Sequence, residues 1–164
     1  MANTEVVRTL YYARQYEQAV AEAHKAELLD PDFPRTHFWL GRVYAQLGKF
    51  PKAIAEAERS GPTDSVIRLT ELAYARARAG QTAEARALLQ NLREQAKLVY
   101  VAAYDFAIIH TALGENEQAL VSLQKAHYEH DWALIVLGVE PRLDPLRSHS
   151  GFQSWLSKVG LKQP

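Results

Sequence analysis

Apolar residues recur along this chain at three- and four-residue spacing, in runs that short polar joints separate. The clearest run covers about residues 35–47 and carries Phe38, Leu40, Val43, Tyr44 and Leu47. This spacing places the apolar side chains on one face of an α-helix. Gly48 follows the run, as expected just past a helix C-terminus, and Pro51 suits the first turn of the next helix. The pattern predicts two consecutive helices joined by a tight turn.

The same helix–turn–helix pattern occurs four times. A marker alanine lies early in each second helix, and these alanines are Ala19, Ala53, Ala85 and Ala119, spaced 34, 32 and 34 residues apart. A fixed period of this length is typical of stacked helix pairs. Each pair in such a stack completes its core only against its neighbours. The short interval after Ala53 predicts a trimmed joint or a trimmed second helix in the second unit.

Small residues also recur on the first helices of the units, at Gly41, Ala73 and Ala107. We expect them to face the marker alanines where the two helices of a pair cross closely. Large side chains forced into such contacts would cost about 1–3 kcal/mol each.

The repeat predicts an all-α fold, a right-handed α-solenoid of four helix pairs with a C-terminal helical cap. The four units cover about residues 1–33, 34–65, 66–98 and 99–130. Residues 131–164 form the capping segment, with an apolar stretch at 132–139. Its last amphipathic part carries Phe152, Trp155, Leu156 and Val159 on one face. A stack needs such a cover because its last face would otherwise be apolar.

A membrane-surface helix is the alternative for that last part, but its polar face carries only Lys158 and Lys162 as cations. Helices of this kind are usually rich in basic residues. No stretch of the chain reaches the roughly 20 apolar residues of a membrane span. We therefore expect no membrane partner.

The balance of charges further narrows the classes of partner that we expect. The chain has 19 basic and 19 acidic residues, whereas a nucleic-acid-binding surface usually shows a basic excess. We therefore expect no nucleic-acid partner. Cysteine is absent, so a disulfide framework and a thiolate metal site are excluded. This composition fits the cytoplasm and leaves the periplasm open.

The sequence contains no catalytic motif. Its eight glycines are scattered one at a time, so there is no glycine-rich phosphate loop. His127 and His130, beside Asp131, are the residues that most resemble a metal site. They fall at the expected end of a helix, where the helix dipole favours a protonated imidazole without any metal. We predict a chain that is not an enzyme and has no cofactor and no metal site.

The second unit resembles the tetratricopeptide repeat, a helix–turn–helix unit of 34 residues. The matching residues are Leu40-Gly41, Tyr44, Gly48, Phe50 and Ala53-Ile54. The resemblance covers residues 3 to about 130. It implies a non-catalytic protein–protein interaction module.

A second resemblance covers residues 100–161, which look like the C-terminal repeat region of bacterial multidomain regulators. In that group the repeats follow a winged-helix transcription factor, a serine/threonine kinase or an adenylate cyclase domain. The resemblance implies a sensor or interaction segment of a bacterial regulatory protein. We interpret Arg142, Asp144 and Arg147 as an ion-paired clasp that docks the tail.

In the tetratricopeptide repeat family, the first helices line a concave groove that binds a peptide or a helix of a partner. The residues that the resemblance places in this groove are Arg8, Tyr12, Arg35, Phe38, Arg42, Tyr74, Arg78 and Tyr104, with Ile108 at its end. Arginine beside aromatic residues is common in binding hot spots and suits an acidic or aromatic peptide or a terminal carboxylate. Ordinary solvated arginines whose stems cover apolar surface are the alternative.

Two other functions stay open at this point. The chain could self-associate into a homo-oligomer through the edge of its first unit, where Val6, Val7, Leu10 and Tyr11 are expected to be uncovered. It could also be a small-ligand sensor with a pocket in the same groove.

Overall fold

A computed structural model describes residues 4–160, which are helical without any strand. The helices are α1 (Thr4–Tyr12), α2 (Tyr16–Leu29), α3 (Pro34–Gln46), α4 (Phe50–Arg59), α5 (Val66–Arg78), α6 (Thr82–Gln95), α7 (Ala103–Ala112), α8 (Asn116–Tyr128) and α9 (Ser150–Lys158). Two 3-10 helices, Trp132–Val136 and Pro141–Leu146, lie between α8 and α9. Residues 1–3 of the predicted first unit and 161–164 of the predicted cap, including Lys162, lie outside the described residues.

Consecutive helices pack as neighbouring pairs, and each pair packs against the next. The predicted all-α solenoid of helix pairs is thereby confirmed. Helices α1, α3, α5 and α7 also contact one another in series and form an inner layer. We call them the inner helices. None of the helices described between residues 4 and 160 combines the length and the apolar character needed to cross a membrane.

The small residues lie where the two helices of a pair meet. All four marker alanines are fully buried. A Cβ atom on Gly41 would come within 3.4 Å of the backbone oxygen of Ala53 and of the backbone nitrogen of Ala57. The alanine register therefore reflects close helix crossing, beyond the general preference of alanine for helices.

Glycine closes three of the four tight turns in the left-handed backbone conformation. Gly48, Gly80 and Gly114 have φ angles of 71°, 78° and 74°. Arg14 holds the equivalent place in the first unit with φ at 60°, which is uncommon for a residue with a side chain. Its guanidinium donates to both carboxylate oxygens of Asp144, at 2.5 and 2.8 Å.

The short second repeat has the predicted cause. Helix α4 has 10 residues, whereas α2 and α6 have 14 each. The Gly61-Pro62 pair follows it, and a residue before proline avoids the helical conformation. The trimmed second helix is therefore confirmed.

Helix α9 covers the last unit. Phe152, Trp155 and Leu156 are buried on its inner face. Gly151 lies so close to Leu120 of α8 that an added Cβ would meet the leucine Cδ1 at 2.8 Å. This contact places α9 against α8, as expected for a cap.

Residues 132–147, which we call the tail segment, follow a path that the sequence interpretation missed. Tyr11 of α1 donates its hydroxyl to Glu140 Oε1 at 2.7 Å. Arg14 lies close to Tyr11 in sequence and Asp144 lies close to Glu140, so the Arg14–Asp144 pair adjoins this contact. The second 3-10 helix packs on α7. The tail segment therefore runs from the fourth unit across the inner helices to the first.

This path corrects the expected uncovered edge of the first unit. Val7 and Tyr11 are fully buried, Leu10 is partly buried, and Val6 is 37% exposed. The tail segment contacts the buried hydroxyl of Tyr11. Half of the apolar edge proposed for self-association is therefore inside the molecule.

Candidate binding cavity on the concave face

A cluster of four charged side chains lies between the inner helices and the tail segment. It consists of Arg42, Glu71, Glu140 and Arg142, each at most 9% exposed, and we call it the central charge cluster. Arg142 donates to both carboxylate oxygens of Glu140 at 3.0 Å and to Glu71 at 3.3 Å. Arg42 donates to the same Glu71 oxygen at 2.6 and 3.0 Å. Two cations and two anions therefore compensate one another.

The ion-paired clasp predicted for the tail is present. Arg142 pairs with Glu71 of α5, and Arg147 donates its Nε–H to Asp144 at 2.7 Å. Asp144 in turn accepts from Arg14. These residues hold the tail segment on the repeats, as the sequence interpretation proposed.

Opposing influences act on the pKa of Glu140. Burial alone would raise the pKa, but the charge and hydrogen bonds of Arg142 outweigh it, with help from Arg42 and Tyr11. The pKa of Glu140 is lowered to about 2. Burial, followed by the nearby Glu140 charge, raises the pKa of Tyr11 well above its ordinary value. Glu140 is therefore ionised and Tyr11 is the hydrogen-bond donor.

A cavity of about 300 Å³ remains beside this cluster, between the inner helices and the first 3-10 helix. Six of the eight predicted groove residues line it: Arg8, Tyr12, Arg35, Phe38, Arg42 and Tyr104. Such a volume is at the lower end of small-molecule pockets. The sequence interpretation thus identified most of one wall, whereas the opposite wall comes from the tail segment.

The other two predicted groove residues lie outside the cavity. Tyr74 is buried, with its ring 5.5 Å from the guanidinium of Arg142. Its hydroxyl accepts from Arg78 at 3.0 Å and from Gln46 at 2.8 Å. Tyr74 is therefore covered by the tail segment and takes part in internal contacts.

Arg42 and Tyr104, although they line the cavity, are also largely buried. The Arg42 guanidinium lies 3.9 Å from the ring centre of Phe38, a distance typical of cation–π contact. The arginine–aromatic pair that the sequence offered to a partner is thus used partly within the molecule.

Arg8 and Arg35 are the exposed cations at the cavity. Both bind the same carboxylate, that of Glu5, at 2.7 and 2.8 Å. Their side chains are 45% and 52% exposed. Two guanidinium groups therefore share one negative charge, which leaves an excess of positive charge around Arg8 and Arg35.

Several large apolar side chains of the cavity lining are exposed. Trp132 is 75% exposed, Ile135 78% and Ile67 55%, and all three line the cavity. Together with Arg8 and Arg35 they form what we call the rim. From the sequence the apolar stretch of the tail is predicted only to be a cover, because its composition does not show which of its side chains face outwards.

Four residues of the cavity lining also carry a fully buried polar atom that has no hydrogen-bond partner in the described part of the chain. These atoms are Trp39 Nε1, Thr70 Oγ1, the Tyr104 hydroxyl oxygen and Asp131 Oδ2. The other Asp131 oxygen accepts from the backbone N–H of Ala133 at 2.9 Å. Buried polar groups in folded proteins nearly always have a partner, so these four atoms are exceptions within the packed wall of the cavity.

Asp105 also lines the cavity. Burial raises its pKa to about 6, and Glu71 and Asp131 add to the shift against the opposing charges of Arg142 and Arg42. The sequence analysis did not single out Asp105, and it considered Asp131 only beside His127 and His130, because an acid near a helix terminus is common for local reasons.

A separate cluster joins the first two units. The ligand atoms of Glu27, His37 and Glu56 lie within 4.8 Å of one another. His37 Nδ1 is 2.7 Å from Glu56, and its Nε2 is 2.8 Å from the carbonyl oxygen of Pro31. Because both ring nitrogens already have partners, the cluster is explained as a hydrogen-bonded joint between units.

A second cavity, of about 460 Å³, lies between α6, α7 and α8. Phe106, His110 and Val121 are among its lining residues. His110 is bound to Glu115 at 2.6 Å. None of the buried unpartnered atoms found among residues 4–160 belongs to its lining. The concave cavity is therefore the better candidate for a binding site.

Two profiles of the tetratricopeptide repeat match the chain, one over residues 7–65 and the other over residues 69–91. Together they cover half of the 164 residues. A search of curated proteins and of solved structures found no significant match. Tetratricopeptide repeats generally mediate protein–protein interaction and are typically non-catalytic. The chain belongs to the tetratricopeptide repeat family.

Proposed function

We propose that the chain is a non-catalytic interaction module that binds a segment of a partner protein across the rim. The observation that carries this proposal is that the exposed side chains of Trp132, Ile135 and Ile67 line the same cavity as Arg8 and Arg35. Exposed tryptophan and arginine are the residue types most enriched in binding hot spots.

The charges at the rim favour an acidic, partly apolar partner segment. Arg8 and Arg35 share the single carboxylate of Glu5, so a partner carboxylate near them would compensate the second guanidinium. Arginine binds carboxylates with well-defined hydrogen-bond geometry. The apolar side chains of the partner would cover Trp132 and Ile135. The proposed site thus keeps the exposed part of the predicted groove and excludes Tyr74.

A regulatory role belongs to the same proposal. The likeness of residues 100–161 to the C-terminal repeats of bacterial multidomain regulators supports it. In such a protein the rim would receive the segment that reports the signal.

Selection from a displayed peptide library tests the proposal. We expect the selected peptides to carry an acidic residue near apolar residues, and to lose at least tenfold in affinity with Arg35→Glu or Trp132→Ala. Arg59→Glu is the matched control, because Arg59 is a similarly exposed arginine on α4 that does not line the cavity. Peptides that bind the wild type and both rim variants equally would contradict the proposal.

A further inference from the structure

The hydrogen-bonded joint between the first two units brings two carboxylates to a buried imidazole. Glu27 comes from α2, His37 from α3 and Glu56 from α4. The ligand atoms of the three side chains lie within 4.8 Å of one another, and His37 is fully buried. The side chains of Glu27 and Glu56 are 22% and 17% exposed, so both carboxylates can be reached from solvent.

The hydrogen bond from His37 to the backbone determines which ring nitrogen faces the carboxylates. Nε2 lies 2.8 Å from the carbonyl oxygen of Pro31, and a carbonyl oxygen can only accept. Nε2 therefore carries a hydrogen, and in a neutral imidazole Nδ1 then has a lone pair. Nδ1 lies 2.7 Å from Glu56 Oε2 and 3.8 Å from Glu27 Oε1. A lone pair directed at two carboxylates needs a cation between them, which is either a proton or a metal ion.

The charges around the joint favour a divalent ion. Within residues 4–160, no lysine or arginine forms an ion pair with Glu27 or Glu56, and histidines are their ionic partners. Two carboxylates therefore lie close together without a permanently cationic side chain. A divalent ion would compensate both negative charges, whereas a single proton compensates one.

Hydrogen bonds to residues outside the three side chains orient them as ligands. Histidines that bind a metal usually donate their second ring N–H to a backbone carbonyl or a carboxylate, as His37 donates to Pro31. Glu27 uses its Oε2 to contact Nδ1 of His24 at 2.6 Å, which leaves Oε1 to face His37. The imidazole and one carboxylate are therefore already held in the orientation that a metal ion requires.

We propose that Glu27, His37 and Glu56 bind a divalent transition-metal ion, for which Zn²⁺ is the best match. One imidazole nitrogen and two carboxylate oxygens are ligands that Zn²⁺ accepts, with water as the fourth, whereas Mg²⁺ and Ca²⁺ prefer oxygen ligands. With tetrahedral bonds of about 2 Å, ligand atoms are roughly 3.3 Å apart. On binding, the Glu56 oxygen would move slightly away from His37 Nδ1 and the Glu27 oxygen slightly towards it.

The ion would connect the first two units, because its ligands belong to helices on both sides of their joint. None of the three ligands lines the concave cavity, so the inference does not depend on the proposed rim interaction. The sequence alone predicts no metal site here, because the three residues are far apart along the chain and meet only through the fold.

Titration of the intact chain with zinc chloride at pH 7.5, followed by calorimetry and by thermal denaturation, tests the inference. We expect saturable one-to-one binding and a rise in the thermal midpoint that a chelator reverses, because an ion that binds only the folded chain stabilises it. Magnesium chloride at the same concentration should give neither effect. Equal binding of Mg²⁺ would indicate an unselective acidic surface and would overturn the inference.

Two variants assign the site, since Glu27→Gln and Glu56→Gln each remove one charged ligand and keep the size of the side chain. We expect each to weaken Zn²⁺ binding by more than about tenfold, because even the loss of an outer hydrogen-bond partner typically costs that much. Glu58→Gln is the matched control, because Glu58 lies on the same helix as Glu56 and is 49% exposed outside the cluster. Circular dichroism checks that the variants are folded.

Exposed histidines are the competing Zn²⁺ ligands, and nitrogen NMR of the imidazole rings distinguishes them. We expect Zn²⁺ to shift the Nδ1 signal of His37 while Nε2 keeps its hydrogen. His127→Gln should leave the affinity unchanged, because His127 is exposed on α8. The inference would be overturned by the absence of saturable Zn²⁺ binding, by binding that either glutamate variant leaves unchanged, or by binding that is lost in His127→Gln.

Discussion

At the scale of single residues, Arg14 stands where the repeat pattern has glycine, and its side chain forms an ion pair. The other three units have glycine at this turn, where φ is positive. A side chain is unfavourable in that conformation, yet Arg14 reaches Asp144 in the tail segment. The sequence showed the departure from the pattern but could not show its reason, because the partner lies 130 residues away.

Replacing Arg14 separates the backbone cost from the ion pair. Arg14→Ala and Arg14→Gly both lose the contact to Asp144, but only alanine keeps the strain of a positive φ. We expect the glycine variant to be more stable than the alanine variant by about 1 kcal/mol in the free energy of unfolding. Urea denaturation measures this difference. Equal stability of the two variants would show that the turn relaxes without cost.

At the scale of elements, the sequence reveals the structure that depends on local pattern, but it does not reveal the structure that depends on tertiary contacts. The eight paired helices were predictable because periodicity, glycine and proline act within a few residues. For the first 3-10 helix, composition predicts a cover but does not predict that Trp132 and Ile135 face outwards. Its orientation depends on contacts with distant inner helices, which no local pattern encodes. The same reason explains why only one wall of the cavity was predicted.

Close crossing of α3 and α4 gives a prediction at this scale. A Cβ on Gly41 would just touch the backbone of Ala53 and Ala57, at 3.4 Å. We expect Gly41→Ala to change the stability little, because better helix propensity, worth up to about 1 kcal/mol, offsets the tighter contact. Gly41→Leu should force the helices apart and cost about 1–3 kcal/mol. Thermal and urea denaturation measure both effects.

The matched control for Gly41→Leu is Ala87→Leu, since Ala87 is exposed on α6. This change should stay within about 0.5 kcal/mol of the wild type. If Gly41→Leu were equally mild, the close approach of the two helices would not limit the side chain at position 41.

At the scale of the whole molecule, the tail segment connects the last unit to the first. Stacked repeats otherwise contact only their neighbours, and their stability is roughly a sum of local contributions. Here Tyr11 of the first unit and Glu140 of the tail segment form a buried hydrogen bond, and Arg142 reaches Glu71 of the third unit. Contacts between distant units should make unfolding more cooperative than in an open stack.

The Glu140→Gln substitution tests this coupling. It would leave Arg42 and Arg142 buried with the single carboxylate of Glu71. Breaking a buried ion pair from one side typically costs about 3–5 kcal/mol. We expect a loss of that size in the free energy of unfolding, and faster amide hydrogen exchange in α1 as the first unit loses its connection to the tail segment. Asp32→Asn is the control, since Asp32 is 94% exposed and pairs with Arg59 away from the tail segment, and such exposed pairs contribute about 0–1 kcal/mol.

The pH dependence of the stability follows from the carboxylate of Glu140. The pKa of Glu140 is lowered in the folded state to about 2, from an ordinary value of 4.5. Its contribution to stability is therefore present above pH 4.5 and is lost as the pH falls from 4.5 towards 2. The difference in unfolding free energy between wild type and Glu140→Gln should shrink over that range, provided that both remain folded. If the difference stayed constant down to pH 3, or if α1 exchanged no faster in the variant, the tail segment would not couple the distant units through this carboxylate.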